Sequence, residues 1–182
     1  MEIRKVQMRD IPQIKTVADS LVVTLENQDR DYGFYKYSLT NEQYARRSES
    51  DLFLVGLDNS RLEGFCMAYD SEFVLRLIEQ EPQLRENEIF RYLTEQQEDY
   101  VYIDQLAVRA PKSFNGATCA CELFDRIKEE SRGKASIQGV SPHSPWKNKS
   151  SIEFFTHQGG RLIRELEGSE GIIFGAYRLD LI

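Results

Sequence analysis

The sequence predicts one α/β domain of the α+β kind, a central mixed β-sheet flanked by helices. Three observations carry this. The chain has 182 residues, enough for one domain with a proper core and too few for two comfortable ones. Hydrophobic residues make up 41% and charged residues 29%, the balance of a globular chain rather than a disordered one. Strand-like and helix-like segments follow one another along the whole chain, without an internal repeat, a linker or a low-complexity stretch.

Residues 3–6 are a short first strand. Asp10 then stands as the N-cap of a helix, with Pro12 in the first turn and Gln13 as its capping-box partner. Ile14, Val17, Ala18, Leu21 and Leu25 recur on one face of that helix. Residues 26–50 are polar but carry Tyr32, Phe34, Tyr35, Tyr37 and Tyr44, which suit an acceptor pocket or packing under a loop. Residues 52–57 and 62–69 flank Asp58, Asn59 and Ser60, a β-hairpin pattern. Residues 71–99, rich in Glu, Gln, Arg and Leu, read as a helical insertion that Pro82 divides.

Residues 100–108 are the next strand, followed by the polar loop RAPKSFNG and the helix TCACELFDRIKEE. Ala120, Leu123, Phe124 and Ile127 share one face of it. Residues 135–140 are a strand. Ser150 and Glu153 form a capping box for a helix that stops at Gly159 and Gly160. Leu162 with Ile163, and residues 172–179, close the fold as strands.

Charge and composition narrow the function. The net charge of −7 argues against a non-specific nucleic-acid binder, which needs a basic face to displace counterions. No apolar run reaches the length of a membrane span, and the segment MEIRKVQMRD has no apolar signal region, so a cytoplasmic protein without membrane contact is expected. Cys66, Cys119 and Cys121 have no metal-type spacing and read as small side chains in a reducing compartment. His143 lies in a Pro-flanked loop, SPHSPW, and His157 near a helix end. The pair has no matching carboxylate or cysteine spacing, so no metal site is expected.

The strand that opens through Gly116 into a helix is the feature with chemical consequence. First-turn N–H groups lack partners inside a helix, and the helix dipole favours an anion there. A glycine at that mouth lets a phosphate approach the backbone.

Two segments together resemble the GNAT N-acetyltransferase superfamily. The family's phosphate loop reads roughly V-x-P-x-x-R/Q-x-x-G-x-G/A. Val108 and Gly116 match it in register, Pro111 falls one place late, Ser113 stands at the Arg or Gln position, and Thr118 at the second Gly or Ala. A later family segment reads roughly N-x-x-S-x-x-F-Y-x-x-x-G. Asn148, Ser151, Phe154 and Gly159 match it, with Phe155 in place of the tyrosine. The resemblance is best over 1–25 and 51–182.

The resemblance implies a GNAT-like sheet in which two central parallel strands, here 102–108 and 135–140, splay apart around the pantetheine arm of acetyl-CoA. It implies an acetyl group moved from acetyl-CoA to an amine by direct attack, on a small molecule or a peptide, in a family where dimers are common. It places coenzyme A on the backbone of Leu106, Ala107 and Val108, on the loop and first turn at Lys112, Ser113, Asn115, Gly116, Ala117 and Thr118, and on Asn148 and Ser151. Arg109, Lys112, Lys147 and Lys149 are the cations near the two motifs.

Such a transfer needs a base to take a proton from the amine, whose ammonium form has no lone pair, and N–H donors for the developing oxyanion. The leaving thiolate takes a proton. Asp104, an acid inside an apolar strand, is the first choice for the base, and Glu63 in the hairpin is its competitor. A charge at Asp104 costs several kcal/mol unless it is paired or solvated. Phe155 has no proton to give the thiolate; Ser151, Tyr177 and His157 are the substitutes. Ser113, Thr118 and Phe155 also motivate the rival reading, an inactive GNAT-fold module that binds an acyl-CoA or a protein partner.

Overall fold

A computed structural model describes residues 1–23, 35, 38–110, 113–168 and 171–181. Seven strands are hydrogen-bonded in the order β1-β2-β3-β4-β5-β7-β6. They are β1 (Glu2–Lys5), β2 (Phe53–Asp58), β3 (Arg61–Asp70), β4 (Tyr100–Val108), β5 (Ser136–Ser144), β6 (Arg161–Glu167) and β7 (Ile173–Asp180). The described helices are α1 (Ile11–Ser20), α2 (Asn41–Arg47), α3 (Ser71–Gln80), α4 (Glu88–Thr94), α5 (Phe114–Glu130) and α6 (Lys149–His157). Parallel and antiparallel pairs occur in the same sheet, as the sequence predicts. The chain compacts as two units, Met1–Ala68 with Gln105–Glu130, and Tyr69–Asp104 with Ser131–Ile182. Among the described residues no helix is long and apolar enough to cross a membrane.

In the first unit, β1, β2 and β3 form an antiparallel meander. The turn between β2 and β3 has Asn59 at φ 48° and Ser60 at φ 65°, the two left-handed residues of a type I′ hairpin. Phe53, Val55, Phe65, Cys66, Met67 and Ala68 are fully buried, so these strands are covered on both faces. Helix α5 presents Cys119, Leu123, Phe124 and Ile127 to the core; Cys119 rather than the expected Ala120 is the buried residue of its second turn. Tyr44 of α2 is fully buried and donates to the Gln105 Oε1 at 2.9 Å. Helix α2 has a full capping box of Thr40 and Gln43. Leu25, Tyr32, Phe34 and Tyr37, named above as helix or pocket residues, lie outside the described residues.

Asp10 does not cap α1 with its side chain. Its carboxylate turns back to the Arg4 guanidinium, which donates at 2.8 and 2.9 Å, and to the Gln7 N–H at 2.7 Å. A two-pronged charged donor outcompetes a single amide for the same oxygens. Gln13, the expected box partner, accepts instead from the Leu62 N–H at 3.2 Å.

In the second unit, the segment after β3 forms α3, a 3-10 turn at Pro82–Glu86 and α4, so Pro82 divides the insertion as its missing N–H requires. Asp70 and Asn87 cap the two helices through their side chains. Strand β5 pairs parallel with β4 from Tyr100↔Ser136 to Ile103↔Gly139, then runs on to Ser144 along β7. This corrects the expected end at Val140. Ser141, Pro142 and His143 have loop composition, but β7 supplies them with a ladder partner. The capping box of Ser150 and Glu153 is also corrected. Helix α6 begins at Lys149, and its N-cap is Asn148, whose Oδ1 accepts from the Ser151 N–H at 3.2 Å.

Candidate functional site

In the first unit, the residues expected to hold an anion lie at the end of β4 and the start of α5. Ala107 and Val108 are buried, and Leu106 is half-buried. Arg109 is tied to β3: its N–H donates to the Glu63 carbonyl at 2.7 Å and its Nε to the Leu62 carbonyl at 2.9 Å. Helix α5 starts four residues before the expected Thr118, because Ser113 caps it. The Ser113 Oγ accepts from the Gly116 N–H at 2.9 Å and donates to the Ala110 carbonyl at 2.8 Å. Ser113 therefore builds the turn with its side chain.

Gly116 is thus the third residue of α5, not its mouth. A β-carbon there would lie 2.0 Å from the Ala110 carbonyl oxygen. The glycine is required first by the protein's own backbone, which folds back over the first turn. The N–H groups of Phe114 and Asn115 precede any intrahelical partner and face the end of the helix. Asn115 and Ala117 are exposed. The Thr118 hydroxyl donates to the Phe114 carbonyl at 2.9 Å, a bond within the helix. Lys112 and Pro111 lie outside the described residues.

Glu63 sits beside Arg61 at 3.5 Å, with its side chain 22% exposed. It also lies near Cys119. Burial pushes the Cys119 thiol up to about 12, and the charge of Glu63 adds to the rise.

In the second unit, Asp104 has an environment made for a carboxylate. The Tyr69 hydroxyl donates to its Oδ2 at 2.9 Å and the Tyr102 hydroxyl to its Oδ1 at 3.4 Å. Tyr69 stacks on Phe73 of α3 at 5.2 Å, and Tyr102 meets Phe90 of α4 edge-on. The helices of the insertion thus back the two tyrosines that hold the carboxylate with aromatic rings.

A second polar group lies on β5, β6 and β7. His143 Nδ1 is 2.8 Å from Glu165 Oε1, and its Nε2 is 2.8 Å from the Tyr177 hydroxyl. The register between β5 and β7 slips at His143, a bulge that aims the ring across Gly175. A β-carbon on Gly175 would lie 2.2 Å from that Nε2. Burial, and then the charge of Glu165, raises the pKa of the Tyr177 phenol, so it stays protonated. Between Gly139 and His143 on β5, the buried Ser141 hydroxyl has no hydrogen-bond partner.

Phe155 of α6 is buried, as expected of a core residue. Its ring covers Gly139, where a β-carbon would meet it at 2.9 Å, and it lies 6.1 Å from the Tyr177 ring. His157 is exposed at the end of α6. Asn148 is buried and spends its side chain on the cap of α6.

Sequence reasoning missed Tyr69 and Tyr102 as partners of Asp104; it read His143 as a loop residue and did not single out Glu165. His143 and Glu165 are 22 residues apart, and His143 and Tyr177 are 34 apart, so no local pattern joins them. The one available signal was Gly175 two residues before Tyr177, a glycine inside a strand pattern, which marks close approach by another group.

The chain is similar over its length to solved N-acetyltransferases. The NatB acetyltransferase complex bound to CoA and MES matches with a TM-score of 0.68 at 14% identity, with 100% of both chains covered. Ard1 from Thermoplasma volcanium matches at 0.68 and 13%, covering 100% of this chain and 97% of that one. Arabidopsis thaliana Naa50, in complex with the bisubstrate analogue CoA-Ac-MVNAL, matches at 0.65 and 13%, with 99% and 98% covered. The chain has the fold of these solved proteins, the fold that the resemblance implied. No protein-family model and no curated protein matches the sequence.

Proposed function

We propose that this protein is a GNAT-type N-acetyltransferase that moves an acetyl group from acetyl-CoA to the amine of a small molecule or peptide. The observation that carries the reading is Asp104. It is a carboxylate on β4, held by two tyrosine hydroxyls just past the last paired residue of the β4–β5 ladder. Ligands of sheets with parallel strands gather beyond the carboxyl ends of those strands.

Acetyl-CoA supplies the acetyl group as a thioester. The chain's own residues do the rest. Asp104 takes the proton of the acceptor ammonium, directly or through water, and the amine attacks without a covalent enzyme intermediate. The backbone N–H groups of Leu106, Ala107 and Val108 are the donors for negative charge on the carbonyl oxygen. The first-turn N–H groups of Phe114 and Asn115, with Lys112, hold the diphosphate, and Gly116 allows the tight turn that presents them. The partnerless Ser141 hydroxyl is a buried donor that a bound ligand would satisfy, and this fits a polar pantetheine arm. Asn148 and Ser151 act through α6, whose start they fix. Glu63 serves as the competing base.

Three free cysteines, Cys66, Cys119 and Cys121, support a reducing compartment, the cytoplasm. A homodimer is the assembly we expect. Calorimetric titration with acetyl-CoA, with desulfo-CoA as control, tests the reading. Micromolar binding supports it. No binding at millimolar ligand removes it.

A further inference from the structure

The β4–β5 ladder ends at a row of three partners, Ile103, Gly139 and Tyr177. Residues directly opposite one another share a face of a sheet, so Tyr177 projects to the side where Phe155 covers Gly139. Asp104 is the next residue of β4 and projects to the other side, where Tyr69 and Tyr102 meet it. Two separate hydrogen-bonded proton groups therefore stand at one ladder end, on opposite faces.

The second group has a direction. The Glu165 side chain is 56% exposed and that of His143 is 13% exposed, while Tyr177 as a residue is 6% exposed. The chain of groups leads from solvent to a buried hydroxyl. An ionised carboxylate only accepts, so Glu165 fixes the Nδ1–H form of the imidazole. Nε2 then faces Tyr177. In the imidazolium form, Nε2–H donates to the phenol oxygen and frees the phenol proton to point elsewhere. The Ser141 hydroxyl on the same face of β5 is buried and has no partner, so this face still lacks one polar contact.

We infer that Tyr177 is the catalytic proton donor to the departing thiolate, with His143 as the positioning residue that resupplies its proton and Glu165 as the residue that orients His143. This rests on the acetyl-transfer reading. The amine enters on the Asp104 face, and the sulfur leaves on the Tyr177 face. As the carbon–sulfur bond breaks, the sulfur takes the Tyr177 proton and forms a thiol. The phenolate takes the Nε2 proton of the His143 imidazolium. Once the thiol has left, solvent, which receives the protons lost by the amine, returns one from the vacated site to the hydrogen-bonded pair of Tyr177 and His143 Nε2. The Phe155 ring lies 6.1 Å from that of Tyr177 and covers Gly139 beside it.

The test has two arms. The first is nitrogen-15 NMR of the histidine side chains in the protein alone, at pH 8. The Nδ1–H tautomer is expected for His143, with its Nε2 resonance displaced in Tyr177→Phe and the tautomer lost in Glu165→Leu, which has no acceptor for Nδ1–H. An Nε2–H tautomer, or an Nε2 signal indifferent to Tyr177→Phe, overturns the relay.

The second arm is thiol release with acetyl-CoA and the best acceptor from an amine and peptide panel. Tyr177→Phe keeps the ring that packs on Phe155, and so preserves the fold. It should lower kcat by about 100-fold while leaving the KM for acetyl-CoA within about threefold, since proton transfer by a placed side chain contributes roughly 10²–10⁴. Wild-type kcat in this variant overturns the inference alone. Absence of transfer by the wild-type protein overturns the acetyl-transfer reading, and the inference with it.

Discussion

The Cys119 sulfur occupies the space that a β-carbon on Gly56 would need: the two would stand 2.8 Å apart. The same sulfur lies 2.9 Å from a β-carbon built on Gly64, so one helix side chain is seated over two strand glycines. The glycines let α5 lie close on β2 and β3, and that closeness fixes where the first turn of α5 is presented.

Gly56→Ala should destabilise the protein by roughly 1–3 kcal/mol, the range for an overfilled core. Cys119→Ala should restore much of this, because the other neighbours of Gly56, Ile3 and Met1, are flexible side-chain ends at 3.3 Å. Gly64→Ala should not be rescued, since the Ala107 carbonyl at 2.7 Å is backbone. Urea unfolding of the single and double variants reads the two couplings. Equal rescue at both positions would contradict this packing.

The thiols should differ in reactivity. Cys121 is exposed, while Cys66 and Cys119 are buried. Burial pushes the Cys66 thiol up and the Cys119 thiol up to about 12, and only a thiolate alkylates readily. At pH 8, iodoacetamide followed by mass spectrometry should mark Cys121 alone in the folded protein. Because Cys119 is raised in the folded state, its contribution to stability is intact below about pH 9 and is lost as the pH rises towards 12.

Asp10 should make the fold sensitive to acid. Burial alone would raise its pKa, but the Arg4 guanidinium and the Gln7 N–H outweigh it and hold the group below its ordinary 3.8. A carboxylate depressed in this way contributes stability above about pH 4 and loses it as the pH falls through the folded value. Asp10→Asn should lower stability at pH 7 by roughly 1–3 kcal/mol and narrow the difference from wild type at pH 3. Denaturant midpoints at both values check this, and an unchanged gap would contradict it.

The parts of the fold that were legible in the sequence are those governed by local chemistry. Asn59 and Ser60 announce a hairpin because two left-handed residues suffice to make one. Pro82 divides the insertion because it has no N–H to give. Val108 and Gly116 locate the end of β4 and the first turn of α5. What escaped was set by distant partners. Ser141 to Ser144 read as a loop and form a strand because β7 pairs with them. Asp10 reads as a cap but answers to Arg4. Asp104 was legible as an anomalous charge, whereas its tyrosine partners and the Glu165–His143–Tyr177 group depend on which strands become neighbours.

Gly116→Ala should act on the loop through the protein's own backbone. Its β-carbon would stand 2.0 Å from the Ala110 carbonyl, so the turn held by Ser113 must open. Coenzyme A affinity should fall at least tenfold, together with a lower melting temperature. Ser113→Ala removes a cap that is typically worth ~1 kcal/mol, so it should lower the melting temperature and weaken coenzyme A binding less than Gly116→Ala does. Calorimetric titration and thermal unfolding of both variants separate the two effects. Unaltered coenzyme A binding in Gly116→Ala would take this loop out of the site.

The most direct measurement is acetyl transfer itself. The purified protein is incubated with acetyl-CoA and a panel of polyamines, small amines and peptides, with thiol release followed and the acetylated acceptor identified by mass spectrometry. Transfer to at least one acceptor is expected, with a loss of about 100-fold or more in kcat/KM for Asp104→Asn, the range for removal of a placed base. Transfer that is indifferent to Asp104→Asn, or binding of acetyl-CoA without transfer to any acceptor, would contradict it.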